Sequence, residues 1–594
     1  MMKKSEQRSK KKLFLLFAVI FLQIICYVLT FTMKKQVFHE DEFYTYALSN
    51  SSDRPFIYGS KWLDIENYNS WETGDSFRYY VRTTGETAFD YVNVWKNQAA
   101  DVHPPLYYVL IHTISSFFPE SFSWWWGFLL NLVFFAVTQF FLYKWCKRFA
   151  KSEYVGLVVC IFYGFTIAAL NTVMFIRMYE MLTMFTVMLV YYGSKAADAE
   201  KLSFKKHVLP VGLTVLGGAL TQHTFLIFAF VFSAVYCIFE ICRKRFRNMF
   251  AFGIASFIGA AMSFAVFPAT YKHIFCKDAF NEEIDRDYKF FLIKYLFVNE
   301  TIGYKPSLMG GSLITYLIAG SVIILVFLLL ILFLFRKELC LKKRLTMLIS
   351  GFPAKFAAGL KKTNFTWIAA LVASVVIFEF IVVSIPYSAV NDYIDRYYFM
   401  IVPLIIAVII CMTSRIFSLI KLRFVRIGLK TIVSLALAGV LVFQNVCGNR
   451  NLYARSACES GKGPINSYLI DEDCILIVSS AIFLPCYSLM LENADDIFIT
   501  LSDDNMYQEQ EEAYKKLFDE NDTVFLAFQK DCIMTKEDIN IFEDVEKGEK
   551  ELSNGEEEML QFFEDNYNCS AEFCTVEGTH IDPYRVMLYK LTKN

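Results

Sequence analysis

The sequence has little net charge, −1 in all, and lacks internal repetition, low-complexity tracts and any cysteine and histidine spacing of a zinc module. With 58 basic against 59 acidic residues it presents no basic footprint for nucleic acid. Charge is sparse altogether, at 20% of 594 positions, while apolar types reach 55% and aromatics 17%. Soluble domains hold roughly 45–50% apolar residues, so this composition indicates an integral membrane protein. The few charges are sorted along the chain, with lysine and arginine in short loops and acids gathered after residue 450.

Residues 1–12 carry Lys3, Lys4, Arg8, Lys10, Lys11 and Lys12, and the apolar run 13–32 behind them has the ~20 residues that a bilayer crossing requires. It ends in Phe31-Thr32-Met33-Lys34-Lys35 and is longer than a signal-peptide core, which predicts a retained anchor. Further apolar runs fall near 123–143, 155–170, 174–193, 208–222, 224–242, 248–268, 312–335, 365–387, 397–414 and 428–446. Alternate loops are basic, among them Lys144 to Lys151 and Arg243 to Arg247, which places them and the N-terminus in the cytoplasm. The run 104–118 is too short to cross. It reads as an interfacial helix with prolines in its first turn, Asp101 favouring its N-terminus, and Trp124, Trp125 and Trp126 at headgroup depth beyond it.

The expected fold is therefore an all-α polytopic membrane protein of about eleven transmembrane helices with juxtamembrane interfacial helices. Residues 1–12 form the cytoplasmic N-terminus, 13–446 the transmembrane module with a large outer loop at 33–122, and 447–594 an extracytoplasmic domain. In that last part 473–478, 496–500 and 522–527 read as short buried strands and 507–518 as a helix, hence a small α/β domain. Its seven cysteines leave a disulfide pattern open.

Chemistry-bearing residues concentrate in the outer loop. Glu40-Asp41-Glu42 follow His39 just beyond the first span, and Asp101-Val102-His103-Pro104-Pro105-Leu106-Tyr107-Tyr108 closes the loop. Charge beside hydrocarbon is costly, so such acids are solvated, metal-bound or catalytic. Glu40, Asp41, Glu42, Asp101 and His103 also have the ligand chemistry of a divalent-cation site, and the cofactor stays open. Trp62, Tyr68, Trp71, Tyr79, Tyr80 and Trp95 suit either a sugar cleft or membrane-belt packing, and Glu379 is an ionisable group inside a span.

An Asp-Glu pair after the first span followed by Asp-x-His-Pro-Pro-Leu-Tyr-Tyr before the second resembles the C-type glycosyltransferase superfamily, nearest the bacterial protein O-mannosyltransferase and aminoarabinose transferase type. Phe175-Ile176-Arg177-Met178-Tyr179, Thr221-Gln222-His223-Thr224 and Asp395-Arg396-Tyr397-Tyr398 are further matches, and the resemblance spans roughly 13–446. It implies a polyprenyl-phosphate sugar donor and an outer-face acid that activates the acceptor hydroxyl, a role that falls on Asp41, with Glu42 as the other candidate. A phosphate leaves without being protonated, so one base suffices, and the growing negative charge calls for a cationic clamp. Arg177 is the first candidate for that clamp and Arg396 the second, with His103 and Tyr179 beside them. Asp101, Glu40, His223 and Tyr107 would support the site. Members of the superfamily differ in metal use.

The expected function is transfer of a hexose or pentose from a polyprenyl-phosphate carrier to a hydroxyl of a protein, lipid or wall polymer at the outer face of the cell membrane. A transporter or flippase for lipid-linked sugars is the second reading. It asks for ionisable groups along the spans, and few besides Arg177, Glu180 and Glu379 occur there. A non-catalytic envelope assembly protein is the third.

Overall fold

The structure, a computed structural model, describes residues 2–52, 70–275, 365–383, 394–418, 423–447, 462–479, 481–502, 511–533, 555–578 and 585–594. In chain order the helices are α1 (Met2–Lys34), α2 (Glu40–Asn50), α3 (Gly74–Arg78), α4 (Tyr91–Ala100), α5 (Leu106–Ser116), α6 (Trp124–Ala150), α7 (Glu153–Gly164), α8 (Ile167–Met174), α9 (Tyr179–Ala197), α10 (Leu209–Ala219), α11 (Thr224–Cys242), α12 (Phe246–Val266), α13 (Ala269–Phe275), α14 (Phe365–Val383), α15 (Val402–Ser418), α16 (Arg423–Cys447), α17 (Ser488–Leu491), α18 (Glu511–Glu520) and α19 (Gly555–Tyr567). The strands are β1 (Ser70–Thr73), β2 (Cys474–Val478), β3 (Asp496–Leu501), β4 (Thr523–Gln529), β5 (Cys569–Gly578) and β6 (Arg585–Lys593). The chain divides into two compact units, Met1–Phe31 with Gly127–Asn451, and Thr32–Trp126 with Leu452–Asn594.

In the first unit helices occupy every apolar run expected from the sequence except 312–335, which lies outside the described residues. Four helices, Lys12–Lys34 within α1, α6, α11 and α12, are long and apolar enough to cross a bilayer among the described residues. The run expected as one span at 155–170 is instead broken: α7 and α8 meet at an angle of 62°. Thr166 sets the break, because its hydroxyl accepts from Ala169 N at 3.2 Å and caps α8. The backbone freed there is not left unsatisfied. Tyr27 donates to Gly164 O at 2.7 Å, and Gln23 and Gln139 donate to Cys160 O at 3.0 and 3.1 Å. A buried polar latch thus joins α1, α6 and α7 where apolar side chains alone would leave carbonyls bare. Gly164 makes room for it, since an added Cβ would stand 2.3 Å from Gln23 Nε2.

In the second unit six strands form one sheet in the order β1-β3-β2-β4-β6-β5. β2, β3 and β4 run parallel, with β1, β6 and β5 antiparallel at the sides. The parallel strands are buried on both faces, as their unbroken apolar sequences require. Ile475, Ile477, Phe498, Leu526 and Phe528 pack against Tyr514, Leu517 and Phe518 of α18 and Met559 and Phe563 of α19. β1 comes from the loop 33–122. Ser70 pairs with Ile499, and Trp71 lies 5.3 Å from the Phe498 ring with Lys516 Nζ 4.3 Å above it. Arg82 and Glu492 form an ion pair at 2.5 Å in the same unit.

Candidate active site

α2 begins where charge and backbone geometry reinforce one another. His39 is the N-cap, its ring Nδ1 accepting from Asp41 N at 3.0 Å, and Glu42 closes the capping box by accepting from His39 N at 2.8 Å. Three acids in the first turn also suit the positive end of the helix dipole. The three differ sharply in surroundings. Glu42 is sealed from solvent and ion-paired with Lys35, whose side chain is equally buried. Glu40 Oε2 lies 3.2 Å from His39 Nδ1, and Asp41 is half-buried. Burial lowers the Lys35 ammonium to about 8, against the opposing attraction of Glu42.

Hydrogen bonds fix how the neighbouring helices lie on α2. Asn93 donates to Ser51 O at 2.6 Å, and Asn97 to Ser51 O at 3.0 Å and to Leu48 O at 3.3 Å. α4 therefore runs antiparallel to α2, and its C-terminal end approaches the acidic turn. α5 returns in the opposite sense, so that Asn50 donates to Ser115 Oγ at 3.1 Å and its carbonyl oxygen meets His112 Nδ1 at 3.3 Å. The turn between α4 and α5, which carries Asp101 and His103, comes to the same end of this three-helix group as Glu40, Asp41 and Glu42. His103 Nδ1 and Asp101 Oδ2 are 2.7 Å apart. Tyr107 is fully buried and meets Tyr108 edge to face at 6.3 Å.

α5 starts at Leu106 with Pro105 as its N-cap and no side-chain cap, while Asp101 caps the C-terminus of α4 and turns its carboxylate to His103.

The sequence gives no sign that residues beyond 452 reach α2, yet the 3₁₀ segment Ala481–Tyr487 packs on it. The Tyr44 phenol lies close to the Cys486 thiol. Burial raises both the Tyr44 phenol and the Cys486 thiol well above their ordinary values, and the charges of Glu40 and Asp41 add to this. Both groups are neutral donors beside the acids. Of the loop aromatics, Trp71 is committed to the sheet and Tyr80 is buried against Phe77 at 5.7 Å, while Trp62 and Tyr68 lie outside the described residues.

The expected cationic residues belong to the other unit. Arg177 is 3% exposed and sits in the unwound stretch between α8 and α9, held by Asn131, which donates to Val173 O at 3.1 Å and Phe175 O at 2.8 Å. The helix expected from residue 174 begins only at Tyr179, whose ring stacks on Phe175 at 5.6 Å. The 3₁₀ segment Ile394–Ile401, which contains half-buried Arg396, packs on α8 and α9, and Phe399 meets the Tyr179 ring at 6.2 Å. The structure thus draws the Arg177 and Arg396 segments together, although they are far apart in sequence. His223 stands at the start of α11 with its Nε2 3.3 Å from His273 Nδ1, a partner that the sequence did not single out. The Glu379 side chain lies outside the described residues.

Among the described residues no group of three or more histidine, cysteine, aspartate or glutamate side chains is arranged to hold a metal ion. No family model and no curated protein matches the chain. Among solved structures it is similar to ArnT from Cupriavidus metallidurans bound to undecaprenyl phosphate, with a TM-score of 0.36 and 11% identity over 97% of each chain. The apo state of the same protein gives a TM-score of 0.36 and 12% identity over 98% of each.

Proposed function

We propose that the chain is a membrane-embedded inverting glycosyltransferase that moves a sugar from a polyprenyl-phosphate donor to an acceptor hydroxyl at the outer face of the cell membrane. The observation that supports this reading most directly is the division of labour among three adjacent acids. Glu42 is committed to an ion pair and a cap, and Glu40 faces His39. Asp41 keeps partial exposure at the end of α2 that also receives Asp101 and His103. Asp41 is therefore the base, and Glu42 the residue that holds its turn in place.

In the reaction the acceptor oxygen attacks the anomeric carbon while Asp41 takes its proton. The carbon–oxygen bond to phosphate breaks, and the bonding pair leaves with the phosphate. Arg177 and Arg396 meet the charge that grows on the departing group, for which a planar guanidinium gives two charge-assisted hydrogen bonds. His103, held by Asp101, and Tyr179 assist at the phosphate, with Tyr107, Glu40 and His223 in support. The acceptor is a protein, a lipid or a wall polymer.

Asp41→Asn removes the proton acceptor with almost no change in volume and should reduce transfer by about 10²–10⁴-fold at unchanged expression. Radiolabelled polyprenyl-phosphate sugars incubated with membranes and a cell-envelope extract give the rate. Label that crosses the bilayer without joining an acceptor would favour a flippase, and full activity in Asp41→Asn would remove the assigned base.

A further inference from the structure

Lys34 and Lys35 close the first span on the side that the proposed topology makes external, where charge bias disfavours lysine. The structure gives Lys35 an internal use. Its ammonium is paired with Glu42, the two side chains being 1% and 0% exposed, and lies 4.6 Å from the Phe38 ring. Phe38 in turn stacks on Trp124 at 3.8 Å, and Trp124 meets Phe43 and Tyr46 edge-on at 4.9 and 5.4 Å. The buried pair thus lies against Phe38, one ring of this aromatic cluster, at the first turn of α2 and beside Asp41 in sequence.

We propose that Lys35 is a positioning residue for the base: it neutralises Glu42 in a site closed to solvent, fixing the capped first turn and removing a second negative charge from beside Asp41. This rests on the reading of Asp41 given above. Two carboxylates on adjacent residues would otherwise raise one another, and an uncompensated charge at Glu42 would be costly to bury. Glu42 already spends one oxygen on His39 N, so the lysine and the cap together hold the carboxylate from two directions. With both side chains closed to solvent, the pair's charge is felt at close range.

Other titratable or charged groups on elements packed against α2 are Tyr91 and Lys96 of α4, Tyr107, Tyr108 and His112 of α5, Asp101 and His103 of the intervening turn, and Cys486 and Tyr487 of the tail. Glu40, His39, Tyr44 and Tyr46 belong to α2 and its cap. All of these remain in place when only Lys35 and Glu42 are changed.

The test compares Lys35→Met, Lys35→Arg, Glu42→Gln and the double variant Lys35→Met/Glu42→Gln in the full chain in membranes, with radiolabelled polyprenyl-phosphate sugar and envelope extract. Transfer is measured as a function of pH. Lys35→Met leaves the Glu42 charge uncovered and should move the acidic limb of the profile upward by about one pH unit. Glu42→Gln leaves the lysine cation instead and should move it downward by a similar amount. The double variant should return the limb to its wild-type position, and Lys35→Arg should keep it there.

Single variants that shift the limb in the same direction, or not at all, overturn the proposal. If Lys35→Met does not accumulate, Glu42→Gln and the double variant still decide, because a double variant that folds with a displaced limb also overturns it. Asp41→Asn in the same series separates the two readings. An active Asp41→Asn removes the base itself, whereas an inactive one with unshifted Lys35 and Glu42 variants removes only the role of the lysine.

Discussion

Arg177 shows how much a single side chain can depend on its backbone. It lies where two helices fail to join, in a stretch whose carbonyls are taken up by Asn131, so the guanidinium is presented from an irregular segment that a continuous span could not offer. The arginine itself is legible in the sequence, because a charge inside an apolar run demands a reason. The unwinding is not, since Phe175, Ile176 and Met178 are compatible with helix, and Asn131 is remote in sequence. Arg177→Ala should raise the donor KM by about 10–100-fold, from the loss of one or two charge-assisted hydrogen bonds. Arg177→Lys should retain part of the binding, and equal effects of the two in a donor titration would reduce Arg177 to packing.

At the scale of elements, α2 is the part the sequence describes best. A polar cap and three acids are local signals, and they mark where the helix begins. β1 stands at the other extreme. Ser70–Thr73 carries no alternation long enough to identify a strand, and its partner β3 lies near the far end of the chain. Gly74 follows it, where its N–H donates to Ala494 O at 3.2 Å. A Cβ at that position would stand 2.5 Å from the same oxygen and 2.9 Å from Glu492 backbone atoms, none of which can swing away as a side chain would. Gly74→Ala should therefore destabilise the second unit by about 1–3 kcal/mol. Thermal melting of the purified chain, followed through exposure of Cys474 to a maleimide, would register it as a lower midpoint, and an unchanged midpoint would mean that the backbone yields without cost.

For the molecule as a whole, composition and charge sorting convey the apolar helices, and the short apolar runs after 473 convey β2, β3 and β4. Pairing between the outer loop and the tail is hidden, because the sheet order and the contact of Ala481–Tyr487 with α2 depend on residues that no local pattern connects. The buried thiols give this second unit a pH signature. Burial raises Cys474 from 9.0 to about 12, and Cys486 is raised well above 9.0 as well. An acid whose value is higher in the folded state keeps its proton there while the unfolded chain loses it, so the stability tied to these thiols is intact below pH 9.0 and is lost as pH climbs towards 12. The midpoint of melting followed by circular dichroism should hold steady between pH 7 and 8 and fall progressively above 9.0, less so in Cys474→Ala. A midpoint that rises with alkali would contradict it.

The edge position of β1 also imposes a timetable. Ser70–Thr73 leaves the ribosome early, whereas the strand it must join is made only after most of the chain has been synthesised. Until then the loop has an unmated backbone edge, open to proteases and to adventitious strand pairing during biogenesis. A nascent protein truncated ahead of residue 496 would keep its apolar helices and still be unable to close the unit that holds Asp41, so completion of translation acts as a checkpoint on the acidic turn of α2.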